Sequence, residues 1–85
     1  MKRLEYLGNK NVIHKQLRKL RISRGMTQSD LAAQMQVMDV TIDQQMISKI
    51  ENNTRIVTDF ELACLCKILE VDENTLLKDF SGSDT

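Results

Sequence analysis

Gln44, Gln45, Ser48, Lys49 and Asn52 are the residues whose types and spacing point to a specific chemistry. Read as part of a helix, they gather on one side with nothing apolar between them. Met46, Ile47 and Ile50, at i, i+1 and i+4, form an apolar stripe on the other side. A glutamine amide gives and takes a hydrogen bond at once, as the major-groove edge of adenine requires. A lysine ammonium suits the O6 and N7 acceptors of guanine. The competing reading makes the two glutamines neutral surface filler, so the rest of the chain has to decide.

Other chemistries find little support. His14 is the single histidine and lies on a basic stretch with no nucleophile or base partner nearby. Cys64 and Cys66 are two apart in a helical pattern and point to different faces. They cannot readily bridge each other or share a metal, and they read as small apolar fillers. No glycine-rich phosphate loop is present. Neither an enzyme nor a cofactor is expected.

The element carrying the polar strip has clear ends. Asp43 is a good N-cap, since its carboxylate can accept from the first-turn amides. Asn53 tolerates the left-handed conformation that often stops a helix. Ahead of it, Ile13, Leu17 and Leu20 recur at helical spacing from a start that Asn11 can cap, and Gly25 is placed as a stop after Arg24. Thr27 with Asp30 resembles a capping box for a second helix, whose buried stripe is Leu31, Ala32 and Met35. Small Ala32 and Ala33 would let another helix cross close by. Residues 38–43 alternate apolar and polar, and they read as a loop whose Met38, Val40 and Ile42 tuck onto the domain.

Beyond the strip, Thr58 and Glu61 form a second capping box. Leu62, Leu65, Cys66 and Leu69 follow as a core stripe. A short fifth helix opens at Asp72 and carries Leu76 and Leu77. The expected organisation is a loose basic arm over 1–10, a helical domain over 11–78 and a disordered polar tail over 79–85.

With 85 residues the chain has room for one small domain, and with no proline and three glycines it should be all-α. Tyr6, Phe60 and Phe80 are the only aromatics, so aliphatics and methionine must fill the core. No apolar run reaches the roughly 20 residues of a membrane helix, and the N-terminus lacks a secretion signal's apolar core. A cytoplasmic protein is expected. The formal net charge of zero hides an asymmetry. Lys2, Arg3, Lys10, Lys15, Arg18, Lys19, Arg21 and Arg24 precede Gly25 against Glu5 alone, and acids dominate after it. A basic first segment fits a nucleic-acid partner or the wet face of a first helix.

One family matches the whole pattern. The stretches Leu17-Arg18-x-Leu20-Arg21, Gly25-Met26-Thr27-Gln28-x-x-Leu31-Ala32, Ile47-Ser48-Lys49-Ile50-Glu51-Asn52-Asn53 and Leu65-Cys66-Lys67-x-Leu69-x-Val71 resemble the phage-repressor-like (Xre/Cro type) helix-turn-helix family. The resemblance implies a five-helix domain, here with an extended turn between helices 2 and 3. It implies that Thr27 and Gln28 open the second helix, with Gln28 bonding a phosphate and steadying the reading helix. Gln44, Gln45 and Lys49 match base-edge positions, and Ser48 a position touching base or phosphate. Asn52 and Arg55 match phosphate contacts. Glu51 is expected to pair with Arg18 or Arg21, tying the third helix to the first. The chain departs from the family pattern in its longer turn, in Gln36 and Asn53 where glycine is usual, and in Val57 where proline is common.

The implied function is sequence-specific binding of double-stranded DNA by a transcriptional regulator, as a repressor on a palindromic operator. Three base contacts from one copy are few, so a homodimer is expected, with Leu76, Leu77 and Phe80 as dimer-surface candidates or as ordinary core closure. No membrane and no small-molecule substrate are implied. The rival reading is a protein-interaction module or antitoxin subunit on the same fold, favoured by the acidic stretch over 59–79.

Overall fold

The computed structural model describes residues 5–81. Its helices are α1 (His14–Ser23), α2 (Gln28–Val37), α3 (Gln44–Glu51), α4 (Asp59–Leu69), α5 (Glu73–Leu76) and α6 (Lys78–Ser81). The expected fifth helix is thus broken at Leu77 into two single turns. The second turn takes in the start of the expected polar tail, whose residues 82–85 lie outside the described range.

Local signals set most of these boundaries. The Thr27 hydroxyl accepts from the Asp30 amide at 3.0 Å, and the Thr27 amide donates to the Asp30 carboxylate at 2.8 Å. Thr58 and Glu61 repeat the arrangement at the start of α4. Asp43 caps α3 by accepting from the Met46 amide at 2.9 Å. Each cap satisfies amides that the helix geometry leaves without a partner. Gly25 stops α1 and Asn53 follows α3, both with positive φ. Asp39 and Glu70 hold the same left-handed backbone after α2 and α4, where glycine would be cheaper.

The core lies where α1 to α4 meet. Leu17, Leu31, Met35, Ile47, Ile50, Leu65, Leu69 and Leu76 are fully buried in it. α2 and α3 pack on each other, α1 crosses α3, α4 backs α2, and α5 and α6 close against α1. Each such side chain contributes about 1.5–3 kcal/mol by leaving water. Residues 38–43 behave as their alternation predicts. Val40 and Ile42 are buried and Met38 half-buried, while Gln36 donates to the Ile42 carbonyl at 3.0 Å. Ala32 is buried and Ala33 exposed, so only Ala32 of the two small residues faces the core.

Two expectations are corrected, and for Leu76 one of two readings is decided. Asn11 does not cap α1, whose N-cap position is Ile13; its amide reaches across the fold instead. Residues 5–10 are not loose. Tyr6 and Asn9 pair through backbone bonds of 2.7 and 2.9 Å around Leu7 and Gly8, both with positive φ, while Lys2 and Arg3 lie outside the described residues. Leu76 is fully buried, so it closes the core and is not available to a dimer surface. The Cys66 thiol is pushed up to about 11, by burial and then by the charges of Glu73 and Asp72, which suits an inert filler. No described helix is long and apolar enough to cross a membrane.

Glu61 couples the fold to acid. Burial pushes its carboxyl up, but the bonds from Arg55, the Thr58 amide and the Arg55 charge outweigh this and hold it below its ordinary value. A depressed folded value stabilises the fold fully above the unfolded carboxylate range, near pH 4. That stability is lost as pH falls through the lower folded value. Arg55→Ala should remove the depression and raise the acid-unfolding midpoint, measured by circular dichroism between pH 2 and 6.

Candidate nucleic-acid interface

α3 has eight residues, a rod about 12 Å long, and a helix with its side chains is about 10–12 Å across, which fits the roughly 12 Å width of the major groove. Gln44, Gln45, Ser48, Lys49 and Asn52 span an arc of about 140° around it at 3.6 residues per turn. Gln44, Gln45, Lys49 and Asn52 are exposed and Ser48 is half-buried. Ile47 and Ile50 on the opposite side are fully buried. The amphipathic split therefore aims the polar strip outward. Asn52 Nδ2 lies 3.4 Å from the Ser48 hydroxyl.

Glu51 sits at the edge of this strip and is turned inward. Arg21 donates to it from Nε at 2.6 Å and from Nη2 at 3.0 Å, and from Nη1 to the Met26 carbonyl at 2.8 Å. The Arg21 and Glu51 side chains are 10% and 1% exposed, so the pair is desolvated and fork-shaped. The expected tie between α1 and α3 falls on Arg21. Gln28 Nε2 donates to the same carboxylate at 3.0 Å, and Gln28 Oε1 accepts from Gln44 Nε2 at 2.7 Å. A single relay thus runs from α1 through α3 and α2 back to the head of α3. The resemblance implies a link from Gln28 to the third helix, but not that Gln44 is the partner, because two residues sixteen apart carry no local signal.

A helix-turn-helix family model, HTH_3, matches residues 17–76. The chain belongs to the Xre/Cro-type helix-turn-helix family. Among solved structures it is similar to a mutant of the restriction-modification controller protein C.Esp1396I. The identity is 32%, with 79% of this chain and 88% of that one covered and a TM-score of 0.64. A search of curated proteins finds no match. Family and fold together make this chain a DNA-binding regulator of transcription.

The remaining candidates of the helix-turn-helix pair are placed unevenly. Thr27 is exposed at the start of α2 and Gln28 is half-buried beside it, joined to α3 through the relay. Arg55 lies in the loop after α3, but its Nη1 and Nη2 each donate to a Glu61 oxygen at 3.0 Å, and Nη1 also donates to the Ile56 carbonyl. Those bonds hold Arg55 charged while neutralising much of its field. Sequence reasoning also assigned no long-range role to Asn11 and Asn53, whose side chains join the end of α3 to the N-terminal segment. Nothing local marks such a role.

Glu51→Ala should strand Arg21 in a nearly dry site and release Gln28. The expected cost is about 3–5 kcal/mol, read as a lower urea midpoint. Gln28→Ala, which leaves the ion pair whole, should cost on the order of 1 kcal/mol. Equal losses for the two variants would contradict this ordering.

Proposed function

We propose that the chain is a sequence-specific repressor of transcription, binding a palindromic operator as a homodimer through the major groove. The observation that carries this is the outward polar face of α3, headed by Gln44 and Gln45 and held by the relay through Gln28, Glu51 and Arg21. Gln44, Gln45 and Lys49 read base edges. Gln44 gives an amide hydrogen to Gln28, and its carbonyl oxygen is left to accept from adenine N6. Ser48 and Asn52 meet base or phosphate at the other end of the strip.

Gln28 and the amides opening α2 at Thr27 hold a phosphate, where the positive end of the helix favours an anion. Arg55 adds a weaker phosphate contact through the N–H groups that Glu61 does not take. Phosphate contacts fix orientation and base contacts specify sequence. Repression is then steric: an occupied operator excludes the polymerase.

Dimerisation follows from the number of contacts. Each good bidentate base contact gives about 1–3 kcal/mol of discrimination, and three from one copy leave too little for a single site in a genome. The molecule measures 34 × 31 × 19 Å. Two copies side by side can therefore present their reading helices about one turn, roughly 34 Å, apart on DNA. Half-buried Leu77 and half-exposed Phe80 remain the dimer-surface candidates. The likeness to a restriction-modification controller protein favours genes of such a system as the regulated target.

Selection of bound sequences from a random DNA pool should return an A-containing palindrome. On that site the Gln44→Ala/Gln45→Ala double variant should lose about 1–3 kcal/mol of discrimination per contact while still binding random DNA. A mobility-shift titration at fixed salt reads both values. Unchanged preference in the double variant sinks the direct-readout account, and a consensus without two-fold symmetry sinks the dimer.

A further inference from the structure

We infer that residues 5–11, which lie outside the matched stretch 17–76, form with Asn53 a positioning element for the DNA-reading helix. The inference rests on the proposed role of α3 in the groove. The C-terminal carbonyls of a helix lack intrahelical partners and need others. Here Asn11, buried at 8% exposure, donates from Nδ2 to the Ile50 carbonyl at 3.0 Å and to the Arg55 carbonyl at 2.9 Å. Its Oδ1 accepts from the Ile13 amide at 3.1 Å, which fixes the amide's orientation. Asn53 completes the junction. Its Oδ1 accepts from the amides of Lys10 at 2.9 Å and Asn11 at 3.3 Å, and its Nδ2 donates to Asn9 Oδ1 at 2.8 Å.

The segment that makes these bonds is itself stiff. The turn through Leu7 and Gly8 has positive φ at both central positions, the geometry of a tight hairpin turn. The Tyr6 ring meets Phe80 of α6 edge-on at 5.4 Å. The segment therefore spans from α6 to the foot of α3. The Gln28 relay fixes the head of α3, where Gln44 and Gln45 read. The asparagine junction fixes the foot, which carries Lys49 and Asn52. Two fixed ends give the strip one register on the DNA.

Asn53→Gly is the informative variant, because glycine keeps the φ of +63° at no steric cost while deleting the amide's bonds. Asn11→Ala removes the other half of the junction. Both are made in the full-length chain and compared with wild type on the selected consensus and on random DNA, alongside hydrogen exchange of the free proteins. Each variant should lose about tenfold or more in consensus affinity, the cost of misaligning one base contact, with random-DNA affinity changed far less. Amides over 49–54 should exchange faster in the free variants while those of α2 and α4 keep their protection. Unchanged exchange over 49–54 in Asn53→Gly overturns the junction whatever DNA does. Faster exchange with undiminished consensus preference overturns its role in reading. A wild-type protein with no preference for any sequence overturns the functional reading instead.

Discussion

The buried pair between Arg21 and Glu51 is the constraint on which the outward polar face of α3 depends. Two charges removed from water carry a desolvation penalty of several kcal/mol each, and only close, fork-shaped geometry offsets it. Here the geometry is of that kind, and the remaining carboxylate capacity is filled by Gln28. Such a pair adds little net stability compared with well-packed apolar groups. What it supplies is direction: α3 cannot rotate about its axis without stranding a charge.

That direction matters because α3 is short. An isolated helix of eight residues is marginal in water. Ile47 and Ile50 anchor one side of it in the core, but two aliphatic side chains tolerate some sliding. Polar bonds at both ends remove that freedom. At the head, Gln28 links Gln44 to Glu51; at the foot, Asn11 and Asn53 hold the Ile50 carbonyl and the loop behind it. The polar face is thereby presented with less rotamer and backbone freedom left to lose on binding.

Local chemistry made much of this legible. Thr27, Asp43 and Thr58 announce helix starts because a side-chain oxygen satisfies amides within the next turn. Gly25 and Asn53 announce stops because few residues tolerate positive φ. Stripes such as Leu31, Ala32 and Met35 show the core face through their period alone. The pairing of Glu51 with a first-helix arginine follows from charge, since a DNA-facing carboxylate would repel phosphate, and of Arg18 and Arg21 the partner is Arg21. Arg55 was less legible. Its partner Glu61 also serves as the capping residue of α4, and that double use appears only when the loop folds back.

The sequence by itself determined the all-α class, most helix ends and the amphipathic split of α3, since each depends on contacts within a turn or two. Tertiary structure decided the rest. It turned 5–10 into a fixed strut, drew Asn11 away from its helix, put Leu76 in the core and divided the last helix in two. Hydrogen-bond partners forty residues apart leave no periodic trace in a chain, because their meeting depends on how every intervening helix packs.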